Sequence, residues 1–243
     1  MEQDTTNKNI RAVDRDSYII RPVAYIHSDF PSKFGIPRQS GLASSLRSRI
    51  IFVKEFRNID GLRGLSGFSH VWLIWGFSEN RERGWTLTVR PPRLGGNTRI
   101  GVFATRSPFR PNGLGLSSVK IEEIVEVSDS GPVIVVSGAD LMDGTPIYDI
   151  KPYISHDIHE DARCGFQEGT RDYHLQVNFS EDLLLRIPEN LRQGLLEVLA
   201  QDPRPSYQND PERIYGLTFA HFDIQFQVKE HLLTVTNVID IDH

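Results

Sequence analysis

The chain has 243 residues, 39% hydrophobic and 24% charged, with a formal net charge of −5, an ordinary globular composition that excludes a fibrous or wholly disordered protein. One cysteine, Cys164, rules out a disulfide framework and a cysteine-built zinc site and fits a reducing compartment. The polar opening "MEQDTTNKNIRAVDRDSY" has no apolar signal region, and no run of about 18 apolar residues follows, so a cytoplasmic protein with no membrane association is expected.

Residues 1–16 read as a disordered arm. "SYIIRPVAYIHS" alternates like a half-buried strand, the Pro/Gly/Ser-rich "FPSKFGIPRQSG" is a loop, and "RIIFV" is a short strand. "HVWLIWGF" is apolar on both faces and too short for a typical helix, which makes it a central strand. "WTLTVRP" and "RIGVFAT" are further strands around "PPRLGGN", and "LSSVKIEEIVEV" and "PVIVVSG" form a hairpin about "SDSGP". Many short strands with few helices predict a mainly β fold, a small antiparallel β-barrel over 17–168. From 169 to 243 the pattern predicts a smaller α+β domain. There "YHLQVNF" is a strand, Ser180 caps an acidic first turn, and Pro188 opens a helix at its N1 position. Leu191, Leu195, Val198 and Leu199 share one face of that helix, and "FDIQFQV" turns back into "LLTVTNVID".

Charge is unevenly spread. Between 81 and 120 there are seven Arg and one Lys against Glu82 alone, whereas 140–168 carries seven acidic residues against Lys151 and Arg163. A basic region on an acidic chain suits a polyanion bound at one place.

Several motifs could carry chemistry. Gly113-x-Gly115 suggests a dinucleotide loop, but the following "VKIEEIVEV" prefers strand where that fingerprint needs a helix, so the loop is rejected. "HDIHED" offers His156 and His159 to a metal, although such clusters are usually solvated loops. Pro37-Arg38-Gln39 sits on a stiff turn: Gln39 can pair with an adenine edge and Arg38 can fork onto a carboxylate or phosphate. Asp143-Gly144-Thr145-Pro146 is a tight turn exposing carboxylate and hydroxyl together. Pro-stiffened polar loops between apolar strands describe a preorganised pocket at a barrel rim. "AQDPRPSYQND" fixes a carboxylate and an aromatic ring, an imperfect match, with Arg204 inserted, to turns that methylate exocyclic amines of bases.

"FGIPRQSG", "LRGLSGFSHVWLIWGF", "VRPPRLGGNTRIGVFATRSPFRPNGLGLSSV", "DLMDGTPIYDIKPY" and "LAQDPRPSYQ" occur in that order. Together they resemble the TsaA/TrmO (YaeB-like) family of tRNA methyltransferases, over nearly the whole chain. The resemblance implies a non-Rossmann, TsaA-like barrel that binds S-adenosyl-L-methionine, a homodimer, and methylation of N6 of threonylcarbamoyladenosine at tRNA position 37, beside the anticodon. By motif, the cofactor pocket involves Pro37, Arg38, Gln39, His70, Val71, Arg106, Leu116, Asp143, Gly144, Thr145 and Pro146. Two departures stand out: Asn112-Gly113-Leu114-Gly115 replaces the usual Asn-Pro-Ile-Gly, and Val71 replaces a common Leu.

Within that picture, Arg106 suits the donor's carboxylate and Asp143 its cation or ribose. The acceptor nitrogen belongs to a ureido group, so catalysis needs in-line positioning and a group that takes the N–H hydrogen. Asp202 and Tyr207 are the catalytic candidates; Arg90, Arg93, Arg99 and Arg110 are the candidates for anticodon-loop phosphates, with an exposed aromatic to stack a splayed base. No DNA partner is expected. The residues also leave open a non-catalytic RNA-binding β-barrel, or a metal-dependent hydrolase at His156 and His159.

Overall fold

The structure, a computed structural model, describes residues 18–79, 84–91, 94, 96–168, 173–204 and 210–241. Arg93, Tyr207 and the 1–16 arm lie outside them. The first strand, β1 (Ala24–His27), starts later than the alternating pattern predicts. Pro22 has no N–H to give a ladder, so regular pairing begins just beyond it. There follow β2 (Arg47–Phe52) and β3 (His70–Gly76), the minor strands β4 (Thr88–Val89) and β5 (Ile100–Gly101), then β6 (Leu114–Val127), β7 (Gly131–Ser137) and β8 (Pro146–Pro152).

Six of these pair in the order β1-β2-β7-β6-β3-β8, and β8 returns to β1, so the sheet closes on itself. Strand side chains alternate between faces. One face of each strand therefore fills the interior, with Ala24, Ile26, Ile50, Val71, Leu73, Val119, Ile134, Val136 and Ile147 buried. The central β3 pairs on both sides, with β6 and β8, as its two-faced apolar sequence predicts. The β6–β7 hairpin turns at the predicted place. Gly113 has φ +50° and strand β6 begins at the next residue, so no helix follows the glycine pair.

Strands β4 and β5 do not join the closed sheet. They pair only with each other, over two rungs, and form a ribbon that Pro91 and a 3-10 turn at Val102–Ala104 cut short.

The C-terminal part holds β9 (Gln176–Asn178), α1 (Glu181–Leu184), α2 (Glu189–Ala200), β10 (Tyr215–Phe219), β11 (Phe222–Lys229) and β12 (Leu232–Asp240). Its sheet runs β10-β11-β12-β9, with β9 parallel to β12. Ser180 occupies the N-cap of α1, ahead of Glu181 and Asp182, but its hydroxyl makes no capping bond. Pro188 stands at the N-cap of α2 rather than at N1. Leu195, Val198 and Leu199 are buried against this sheet, with Leu191 partly buried. Phe30, Ala43 and Leu46, from the loops between β1 and β2, enter the same core, and Phe30 meets Phe219 edge-on at 5.8 Å. Helix α2 can approach that closely because residue 194 is glycine: a Cβ there would lie 2.1 Å from a Leu46 methyl. Among the described residues no helix is long and apolar enough to cross a membrane.

Candidate functional site

The segment between β5 and β6, "ATRSPFRPN", is laced to itself. Thr105 Oγ1 donates to the Val102 carbonyl at 2.8 Å, and the Ser107 and Phe109 amides donate to the Thr105 and Ser107 hydroxyls at 3.3 Å each. Arg110 Nη1 donates to the Thr105 carbonyl at 2.9 Å and to that of Ser107 at 3.4 Å. Side-chain-to-backbone bonds of this kind hold a loop in one conformation without a ladder. The loop presents Arg106, whose Nη1 donates to Gln39 Oε1 at 2.6 Å. Pro37 is buried beneath its turn, and Arg38 Nη2 donates to the Asp202 carbonyl at 3.2 Å. Two loops far apart in sequence thus meet through Gln39 and Arg106.

Where they meet, a cavity of about 380 Å³ is lined by Arg38, Gln39, Arg106 and Leu116, together with Trp75, Phe77, Arg110 and Asp140. Trp75 forms one wall, stacked edge-on with Phe77 at 4.5 Å and donating from Nε1 to Ser117 Oγ at 3.0 Å. Its indole lies over Gly115, its cross-strand partner: a Cβ at 115 would fall 2.3 Å from the ring. The second glycine of "GLGLSS" therefore makes room for a rigid aromatic wall, not for a pyrophosphate. At the cavity edge Asp140 lies three residues beyond β7, and burial pushes its carboxyl above the usual range.

A second cavity of about 820 Å³ adjoins the first and shares Arg38, Thr105 and Arg106 with it. Arg90, Arg99 and Arg204 add to its cationic lining, Phe109 and Phe166 supply aromatic surface, and no described lining residue is acidic. Val89 pairs with Ile100, so the next rung of the ribbon would set Arg90 opposite Arg99. Facing like charges weaken a sheet, an arrangement that an anion in the cavity would relieve.

Other sequence-selected residues fall elsewhere. Val71 is buried in the sheet interior and is not among the lining residues of either cavity. His70 begins β3, five rungs and roughly 16 Å from Trp75 at the usual strand rise, with Nδ1 2.9 Å from the Ser69 hydroxyl. The Asp143-Gly144-Thr145-Pro146 turn is divided. Asp143 Oδ1 accepts from the Ser28 amide at 3.1 Å and lies 3.2 Å from His27 Nδ1, beside a cavity containing Arg47 and His221. Gly144 and Pro146 line a hollow with Tyr25, while Thr145 reaches a small cavity behind the Trp75–Phe77 pair. Arg110 turns onto its own loop, in contrast to the free phosphate contact expected of it.

Asp202 occupies left-handed backbone, φ 54°. Its oxygens accept Arg204 Nε at 2.8 Å and Nη2 at 2.9 Å, and Tyr173 donates to Oδ2 at 3.3 Å. Burial favours the neutral acid, but the Arg204 hydrogen bonds and charge outweigh it and hold the carboxyl below its ordinary range. A carboxylate so fully engaged is a weak proton acceptor. Asp140, Trp75 and Arg204 escaped the sequence reading; the available signal was an Asp closing the apolar run "PVIVVSGAD". Among the described residues no group of three or more His, Cys, Asp or Glu side chains could hold a metal, His156 and His159 included.

A small cavity with arginine, amide and carboxylate groups opens into a larger cationic one, a lining suited to a compact charged ligand beside a polyanion. Comparison with known proteins gives the family. The model of the tRNA-methyltransferase O N-terminal domain matches residues 25–157 and that of the TrmO C-terminal domain matches 172–241. The tRNA (adenine(37)-N6)-methyltransferase of Escherichia coli K12 is 38% identical over 223 residues, 88% of this chain and 94% of that one. A Pseudomonas aeruginosa protein, provisionally described as an S-adenosylmethionine-dependent methyltransferase, is 41% identical over 86% of this chain and 92% of its own. The crystal structure of TrmO from Pseudomonas aeruginosa superposes with a TM-score of 0.73 at 33% identity, covering 92% of this chain and 99% of that one. The chain belongs to the TrmO family.

Proposed function

We propose that this chain is an S-adenosylmethionine-dependent methyltransferase that methylates N6 of adenine 37 in tRNA, the adenine carrying a threonylcarbamoyl group. Family membership supports the reaction, and the observation that carries the reading to these residues is the shared wall of the two cavities. The smaller one, within the usual size range of small-molecule sites, takes the methyl donor: Arg106 meets its α-carboxylate, Gln39 its adenine edge, and the indole of Trp75 its apolar body. Thr145 and its turn close the site from behind the aromatic pair. The larger cavity takes the anticodon loop, with Arg90 and Arg99 on phosphates and Phe109 or Phe166 under a splayed base. Arg38 and Arg106 belong to both, so donor and acceptor meet at them.

In this reading the closed sheet is the donor-binding barrel of a unit spanning 17–168, and 169–243 is a second unit that brings Arg204 to the RNA cavity. Asp202 acts as the anchor of Arg204. The protein works as a homodimer in the cytoplasm. Trp85, Leu87 and Phe103, which are 53%, 73% and 75% exposed near the β4–β5 ribbon, supply apolar surface for the second copy.

The two cavities can be tested separately. A double Arg90→Ala/Arg99→Ala variant is expected to bind tRNA about tenfold or more weakly. The slope of log affinity against log salt should fall by roughly 0.7 per lost single-strand phosphate contact. Titration with S-adenosylhomocysteine should give an unchanged affinity. Unchanged tRNA binding would remove the ribbon from the RNA site; failure of the parent chain to bind the donor product would overturn the methyltransferase reading.

A further inference from the structure

N6 of an acylated adenine must lose a proton when it gains a methyl group, and a base must stand where donor and acceptor meet. Among the described residues lining the two joined cavities, Asp140 is the only carboxylate. Its Oδ1 is buried, and among the described residues no group donates to it. A buried carboxylate oxygen left without a donor is costly, and the cost is explained if a substrate N–H completes it. Asp202 is engaged by Arg204 and Tyr173, and Asp143 by the Ser28 amide and His27 in a separate cavity.

We propose that Asp140 is the proton acceptor of the methyl transfer. The proposal rests on the methyltransferase reading above. The N6 lone pair attacks the donor's methyl carbon as the carbon–sulfur bond breaks, its electron pair returning to sulfur to give S-adenosylhomocysteine. The N6 proton passes to the Asp140 carboxylate, which lines the cavity, and leaves to solvent after product release. Burial raises the Asp140 carboxyl, while the Ser117 hydroxyl, the Ser40 backbone and the Arg106 charge only partly offset it. A base raised toward neutrality is better matched to this task than the depressed Asp202. The charged groups that line the cavity with it are Arg38, Arg106 and Arg110.

The test compares the full chain with Asp140→Asn on tRNA bearing threonylcarbamoyladenosine. The variant is expected to lose about 10²–10⁴ in kcat, the usual contribution of a positioned base, while binding S-adenosylhomocysteine within about twofold of the parent. In the parent, kcat should fall as pH drops through the Asp140 pKa; in the variant's residual activity that acid limb should vanish. Asp140→Glu keeps the carboxylate and should keep the limb at reduced rate, which serves if the Asn variant folds poorly. The proposal is overturned by an undiminished kcat, by an acid limb that persists in Asp140→Asn, by a rate loss traced wholly to donor affinity, or by loss of the limb in Asp140→Glu. Absence of transfer by the parent chain would instead overturn the function itself.

Discussion

Replacing Arg204 with alanine is expected to lower the thermal midpoint by roughly 6–20 °C. Arg204 and Asp202 are only 9% and 13% exposed at their side chains and form a two-point pair. Removing one partner of a buried pair leaves an uncompensated charge and costs about 3–5 kcal/mol. At this chain length each kcal/mol moves the midpoint by about 2–4 °C. The damage should spread, because Arg38 donates to the Asp202 carbonyl and carries the turn that holds Gln39. The pH dependence has a definite sign. Asp202 has its folded pKa below the ordinary carboxylate value. Its contribution to stability is therefore present above about pH 4 and lost as pH falls through the folded pKa. The gap between parent and Arg204→Ala should be full at pH 7 and narrow in acid. Circular dichroism melts at pH 7 and pH 3 measure both; a midpoint within about 2 °C of the parent would show that the pair contributes little.

Arg106→Ala should weaken S-adenosylhomocysteine binding by about 1.5–3 kcal/mol, the value of a hydrogen bond to a charged group, or roughly ten- to a hundredfold in Kd. The guanidinium donates to Gln39, and in the proposed function it also meets the ligand's carboxylate. Lysine, a single point donor, is expected to restore only part of the affinity. Arg106 also lowers the Asp140 carboxyl by its charge. Its removal should therefore shift the acid limb of residual activity to higher pH. Calorimetric titration gives the first effect and a pH–rate profile the second. An unaltered Kd would take Arg106 out of the donor cavity.

The fold was legible where a segment's own pattern decides its state. β3, the β6–β7 hairpin and the closing β11–β12 hairpin are apolar runs bounded by turn residues, and each appears where the pattern predicts. "WTLTVRP" and "RIGVFAT" also read as strands, yet they form a two-rung ribbon outside the closed sheet, because strand partners are chosen by long-range pairing. The site divides the same way. Arg38, Gln39, Arg106 and Leu116 could be found because their motifs are compact and their side chains converge. His70 and Trp75 share one short strand, but only the pairing of Trp75 with Gly115 tells which end faces the cavity. Arg204 looked like an interruption of an Asp-Pro-Pro-aromatic turn and is instead the charge partner of Asp202. Asp140 is one acidic residue among many in the sequence, and only its buried, unpartnered Oδ1 sets it apart.

The central claim is transfer of a methyl group to adenine 37. It is tested by incubating the chain with S-adenosylmethionine carrying a deuterated methyl group and tRNA containing threonylcarbamoyladenosine, then analysing the nucleosides by mass spectrometry. The expected result is that nucleoside heavier by one labelled methyl group, with fragmentation placing it on N6. An unlabelled position 37, with tRNA and donor product both bound, would contradict the account and leave a non-catalytic RNA-binding protein in its place.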